Sequence, residues 1–324
     1  MRYDNLGYSP QLRDTLSDIS NLTMDQALAY ASVLHKGYRV VYVDAANSGG
    51  GQDGKSWETA FDTLTEGINQ ARYDLGTTTI DDDKNQHAYI FVAPGQYNKT
   101  SYTSFSGYGL HIIGVARGNG DYGVVVNYAL TCTGAPSVLV SSGAELELAN
   151  MVICGDEAYP LLYFTPNADF VNIHNVHFKG DGTNVTYGIQ FDNAKHVTVR
   201  DCVFEGCKTA GIYVNGGSDQ YFIYNRIENN VIIGSSTGFK GIVVDSDSTS
   251  YASVIYRNYF DISGAGTGAK AIDVNSTSTT KSCFISNNLA VCDSGATAFE
   301  STQKGMWNNA QSAAGTMTLN VDDD

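Results

Sequence analysis

Apolar and polar positions alternate with period two along most of this chain, in short bursts broken by glycine, asparagine, aspartate and serine. Such bursts predict short strands that give one face to a core, and the breaks predict turns. The bursts also recur. ELELANMVICG at 145–155, FVNIHNVHFKG at 170–180 and HVTVRDCVFEG at 196–206 superimpose at offsets of 25 and 26 residues. Leu146, Val171 and Val197 then share a column, as do Leu148, Ile173 and Val199, and Ile153, Phe178 and Phe204. A second series of hydrophobic-x-hydrophobic triplets runs Val138/Val140, Leu162/Phe164, Ile189/Phe191, Ile212/Val214, Ile242/Val244 and Ile272/Val274. Gly188, Gly211, Gly241 and Ala271 directly precede four of these triplets, where a turn is expected to return the chain to the stack.

Repeats of this length without a crossover helix predict a solenoid, in which each strand lies parallel to its equivalent one coil later. Each coil advances by about 4.8 Å, the ordinary spacing of strands. A single coil cannot bury its own apolar residues, so stability must come from stacking like on like. The fold class expected is therefore all-β, a single-stranded parallel β-helix. Asn150, Asn175 and Asp201 mark a polar corner of the repeat, where Asn and Asp tolerate the left-handed conformation and can bond their equivalents above and below. Asn258 and Asn288 are expected to continue this ladder, with Asn225 or Asn230 between them.

The flanks do not repeat. Residues 1–39 read as a helical segment, with Thr23 and Gln26 as a capping box and Gly37 as a stop. Residues 40–86 read as strand, glycine-rich loop and helix, the helix opened by Thr63 and Glu66. An open first coil exposes a strand edge and an apolar bore, so this helix, with Leu64, Ile68 and Ala71 on one face, is expected to plug it. The coil proper is expected over 87–304, and 305–324 form a C-terminal tail or cap. The run YVDAANSGGGQDGKSWETAFDTLTEGINQA, followed by YIFVAPGQY and the repeated turns, resembles the N-terminal portion of right-handed parallel β-helix proteins of the pectin-lyase-like superfamily. That resemblance extends over roughly residues 40 to 300 and implies a right-handed coil. The superfamily spans polysaccharide lyases, glycoside hydrolases, surface proteins and phage tailspike or virion proteins, so it implies a fold more than an activity.

Composition narrows the function. The chain has 324 residues, a formal charge of −15 and no Lys/Arg stripe, which argues against a phosphate-backbone partner. Residues 1–30 show no basic segment followed by an apolar run, and no run of 18 apolar residues occurs, so neither a secretory signal nor a membrane span is expected. Four N-x-S/T sequons carry no weight without secretion, and SGGGQDGKS is not placed between strand and helix as a phosphate loop requires. The six cysteines contain no CxxC pair, and Cys202 shares an inward column with Met151 and Val176, so they read as core residues. His174 and His177, three apart on a strand, are expected on opposite faces, and no metal or cofactor is expected.

Asp201, Glu205, Glu228 and Asp261 are the carboxylates that stacking places loosely on one outer face, where adjacent coils reach glycosidase-like separations. Lys179 stands at the position of Glu205 one coil earlier, which reads equally as a cross-strand charge pair. The motifs that resemblance to pectate lyases or polygalacturonases would demand are not found. Leu139, Tyr163, Gln190, Tyr213 and Val243, with Asp273 at the end, form an outward stripe that reads as a loop-covered face, a subunit interface or a glycan platform. The expectation is a non-enzymatic structural protein of a virus particle: a bacteriophage decoration, spike or tail-associated subunit. The resemblance implies a homotrimer. Residues 1–39 would attach it to other virion proteins, and a surface polysaccharide is a further partner. A polysaccharide lyase or hydrolase and a glycan-binding adhesin are the alternatives.

Overall fold

Parallel strands that repeat in register account for almost all regular structure in the computed structural model. It describes residues 39–74, 87–97, 103–106, 109–115, 127–129, 138–156, 158–164, 168–192, 194–215, 221–245, 249–274, 283–293, 296, 298–301, 306–307, 309–313 and 316–320. The helical segment expected over residues 1–39 falls, but for Arg39, outside them. The chain is a parallel β-solenoid that divides into two units, of which residues 39–97, 109–115 and 145–152 belong to the first.

In the first unit, strand Arg39–Val43 pairs with Ala88–Val92, that strand with Leu110–Gly114, and the last with residues 146–149. Val41, Ile90, Ile112 and Leu148 thereby form one buried file. One helix is described, α1 (Leu64–Asp74). Thr63 Oγ1 accepts from the Glu66 backbone N–H at 3.3 Å and donates to its carboxylate at 2.7 Å, the capping box the sequence predicts. Leu64, Ile68 and Ala71 are buried, and a Cβ on Gly67 would meet Val43 Cγ2 at 2.4 Å. The helix thus packs its apolar side directly on the inward file, and its backbone approaches too closely for any residue but glycine.

In the second unit each coil presents three main strand faces, and ahead of the first a short strand stacks as Ala194–Lys195, Tyr221–Ile223 and Thr249–Tyr251. The first face stacks Thr198–Arg200, Arg226–Glu228, Val254–Tyr256 and Phe284–Ser286, and the second stacks Val203–Glu205, Val231–Ile233, Tyr259–Ile262, Leu289–Cys292 and Asn309–Ala313. The earlier coil supplies both from one strand, Ala168–Lys179. The third face stacks Leu162–Phe164, Tyr187–Phe191, Ala210–Val214, Lys240–Val244, Lys270–Val274 and Phe299–Ser301. Val199 lies on Ile173, and Phe204 on Phe178 with their rings stacked at 4.8 Å, as the sequence columns require. Thr316–Asn320 turns back antiparallel on Asn309–Ala313 and ends the parallel series.

The residues before the triplets have a packing reason rather than a turn reason. Added Cβ atoms would meet Phe204 Cδ1 at 2.5 Å from Gly188 and Phe260 Cδ1 at 2.4 Å from Gly241. Glycine there makes room for the inward phenylalanines of the second face.

Candidate functional site

The faces are joined at corners where the backbone becomes left-handed. One corner column reads Asn150, Asn175, Asp201, Asn229, Arg257 and Asn287, all with φ between 52° and 57°. Five residues earlier stands a second column, Phe170, His196, Tyr224 and Ala252, with φ of 52° to 57°. The asparagine column expected from the sequence therefore splits. Asn150, Asn175 and Asp201 occupy the corner itself, whereas Asn258 and Asn288 sit one residue further on, turned inward with Asn230 and Asn309. In that inner ladder each amide donates to the next carboxamide oxygen: Asn230 to Asn258 at 2.9 Å, Asn258 to Asn288 at 3.0 Å and Asn288 to Asn309 at 2.9 Å. The same oxygens accept the backbone N–H of Cys202, Asn230, Asn258 and Asn288. The sequence shift was hidden because Val176 and Cys202 fill the inner position on earlier coils and the corner also admits Arg257.

The corner also resets strand alternation. Ile173 and Val176 both point into the core across Asn175, so His174 and His177 both face outward, on two adjoining faces. This corrects the expectation of opposite faces, which counts residues as if the strand were unbroken. His174 is nonetheless buried, while His177 Nε2 lies 3.1 Å from Glu205.

The four carboxylates singled out from sequence each meet partners other than one another. Asp201 pairs with Arg200 at 2.8 Å, Glu228 accepts from Arg226 at 2.8 Å, and Asp261 accepts from the Ser263 hydroxyl at 2.7 Å. Glu205 meets Lys179 across the strands at 3.4 Å, beside its contact with His177. Asp201, Glu205 and Glu228 thus lie against basic side chains, whereas Asp261 is held by hydrogen bonds from Ser263.

Register stacks Leu139, Tyr163, Gln190, Tyr213, Val243 and Asp273 in one file on the third face. It is not a flat exposed stripe: Val243 and Asp273 are buried, and Tyr163, Gln190 and Tyr213 are half-buried. The tyrosines turn their hydroxyls to a polar neighbouring row, Tyr163 donating to Asp192 and Tyr213 to Asp245 at 2.8 Å. Burial, and then these carboxylates, push both phenols above the ordinary tyrosine range. Asn215 also donates to Asp192 at 3.0 Å. Further along, Asp273 is fully buried between Lys240 at 2.6 Å and Lys270 at 3.1 Å, and Lys270 reaches Glu300 at 2.7 Å. Nothing in the sequence marked this cluster, because Lys240, the Lys270 and Asp273 strand, and Glu300 come from three coils and meet only when these stack.

The first unit holds a buried polar chain that sequence reading missed. His87 Nδ1 lies 3.0 Å from His111 Nε2, and His111 Nδ1 lies 2.7 Å from Glu147, with Tyr89 stacked on the His111 ring at 4.4 Å. Burial first, and the neighbouring His111 second, hold the His87 imidazole down to about 4. The unfolded chain binds a proton there below about pH 6.5 and the folded chain resists it to about 4, so stability falls as pH falls through that window. A loss on the order of 3 kcal/mol is expected between those limits. His87→Gln should flatten it in urea unfolding followed at pH 7, 5.5 and 4; an unchanged pH profile would refute the assignment.

A family model described as periplasmic copper-binding protein (NosD) matches residues 161–312. None of the curated proteins matches the chain. Among solved structures the chain is similar to one described as Geobacillus virus E2 ORF18, at 12% identity and a TM-score of 0.36, over 91% of this chain and 65% of that one. The chain thus spans less than two thirds of that protein's length. Among the described residues no three His, Cys, Asp or Glu converge as metal ligands. Burial pushes the thiols of Cys202, Cys207 and Cys283 up to about 12, so they stay protonated in the core. This accords with their reading as core residues; Cys132 lies outside the described residues.

Proposed function

We propose that this chain is a non-enzymatic structural protein of a virus particle, a bacteriophage decoration, spike or tail-associated subunit. The observation that carries the reading is how the outward carboxylates are used. Asp201, Glu205, Glu228 and Asp261 each end on a partner of the same wall, so the face stiffens the stack. A catalytic pair would need two carboxyl groups turned toward one bond. With an asparagine ladder inside and ion pairs outside, the coil is suited to act as a rigid spacer. In this proposal residues 1–39 attach the rod to other virion proteins and the working form is a homotrimer.

Sedimentation of the full chain should give three copies. Deleting residues 1–39 should abolish co-sedimentation with particles while leaving the strand signal in circular dichroism intact. A monomer whose truncation changes nothing removes the proposal. So does release of reducing ends or unsaturated products from a glycan panel, if Glu205→Gln or Glu228→Gln abolishes it.

A further inference from the structure

The large hydrophobic side chains that stay exposed are spread unevenly over the described residues. Phe170 and Tyr224 belong to a ladder of rings along the second corner column, Phe170 on His196 at 4.5 Å and His196 on Tyr224 at 5.3 Å. Tyr159 lies ahead of the third face, and Phe284 on the first. The other three, Ile233 at 38%, Tyr259 at 37% and Leu289 at 36%, occupy consecutive strands of the second face. Register sets Val203, Val231, Tyr259 and Leu289 in one outward row and Ile233, Asp261 and Val291 in the next, the three valines half-buried. Single apolar residues on a surface need no explanation, whereas adjoining apolar rows over neighbouring coils mark a contact face. The stripe of the third face is a poorer candidate, because Val243 and Asp273 are buried within it.

The first corner column adds charge to one margin of these rows. Arg257 alone in it is neither asparagine nor aspartate, and a left-handed arginine costs about 1 kcal/mol that asparagine would avoid. Arg257 is exposed, its guanidinium rests 4.8 Å from the Tyr256 ring, and it makes no ion pair among the described residues. At the other margin of the same coil, Asp261 Oδ1 accepts from the Ser263 backbone and hydroxyl. This coil therefore presents a cation, a ring and a carboxylate in the order Arg257, Tyr259, Asp261. The coils on either side read Asn229, Val231, Ile233 and Asn287, Leu289, Val291, without charge. A chain of formal charge −15 meets its own copies against net repulsion, so contact falls where charge is absent or matched. These three coils supply both conditions. Rotation about an axis parallel to the coil axis keeps each coil at its own height and brings one margin of the face to the opposite margin of the next copy. We propose that three copies of this chain meet through the second face, with Val231, Tyr259 and Leu289 turned to the shared axis and Arg257 of each copy against the partner's Asp261. The assignment rests on the homotrimer reading and gives it a surface. Tyrosine and arginine within an apolar patch are also the side chains that most often dominate association.

The test is sedimentation of the full chain over a concentration series, with far-UV circular dichroism to follow the fold. Wild type should give three copies, and Tyr259→Asp a monomer whose strand signal is unchanged. Arg257→Asp puts at the corner a residue type that Asp201 already supplies there, so it should stay folded while weakening association at least tenfold. Asp261→Arg should weaken it similarly, and combining the two exchanges the charges and should restore association to within about threefold of wild type. A wild-type trimer that Tyr259→Asp and both charge variants leave intact overturns this face and leaves the homotrimer reading standing. A wild-type monomer overturns both, and if Tyr259→Asp then abolishes co-sedimentation with particles, the face belongs to another virion protein. Single variants that dissociate without rescue in the double exchange overturn the pairing of Arg257 with the partner's Asp261.

Discussion

Asn258→Ala should destabilise the second unit by on the order of 4 kcal/mol, whereas Asn287→Ala, one coil on but at the corner, should cost about 1 kcal/mol. The contrast follows from what each amide does. Asn258 Oδ1 accepts from the Asn230 backbone at 3.0 Å and from its side chain at 2.9 Å, while Asn258 Nδ2 donates to Ile227 O at 3.0 Å and to Asn288 at 3.0 Å. All lie in the interior, with Asn258 itself only 1% exposed, so truncation strands several buried donors and acceptors at once. Asn287 is exposed and adopts a φ of 54°. Urea unfolding by far-UV circular dichroism separates the two; equal losses would mean the ladder is not a cooperative element. Asn258→Asp keeps the acceptor but turns its second carboxylate oxygen on the Ile227 and Asn288 oxygens, so it should cost at least as much as alanine.

Asp273→Ala should cost a comparable 3 to 5 kcal/mol, roughly the penalty for removing one member of a buried ion pair. Here it leaves the partly exposed Lys240 and Lys270 without the buried carboxylate they share. Burial alone would raise the Asp273 carboxyl, but its hydrogen bonds and charge pairing with the two lysines outweigh burial and hold it below the ordinary carboxylate range. Lys270 is raised: burial pulls it down, but bonds to Glu300 and Asp273 prevail. The signs fix the pH window. Asp273 contributes in full above about pH 4, and that contribution disappears as acid protonates the folded carboxyl. Lys270 contributes below about pH 10.4 and its share is lost as pH rises beyond its folded value. The cluster should therefore support a plateau between those limits, and Asp273→Ala should lower the plateau and remove part of the acid limb. An Asp273→Ala protein within about 1 kcal/mol of wild type would show that the cluster only balances its own desolvation.

Both predictions concern residues whose importance the chain displays unevenly. Val171 over Val197 and Phe178 over Phe204 are legible because stacking demands the same volume at the same place on every coil. The capping box at Thr63 and Glu66 is legible because its partners are three residues apart. Asn258 belongs to a ladder one residue inward of the corner that Asn150 and Asn175 occupy, and that step between corner and core is invisible where insertions blur the repeat. The histidines at 174 and 177 were assigned to opposite faces for the same reason: period-two counting fails across a left-handed residue. Of the four carboxylates, only the pairing of Glu205 with Lys179 was readable, because it repeats at the coil offset.

By itself the sequence determined that this chain coils, which columns line its bore and which helix packs against the first strands, because those properties follow from local periodicity repeated at a fixed interval. Tertiary structure alone decided the rest: the second corner column, the buried Lys240–Asp273–Lys270 cluster, the His87–His111–Glu147 chain and the aromatic ladder ending at Tyr224. Apart from Lys270 and Asp273, which share a strand, these contacts join residues 24 to 36 positions apart with no shared motif. Such contacts depend on how far each loop lets the next coil slip, a matter of a single residue that hydrophobic patterning does not encode.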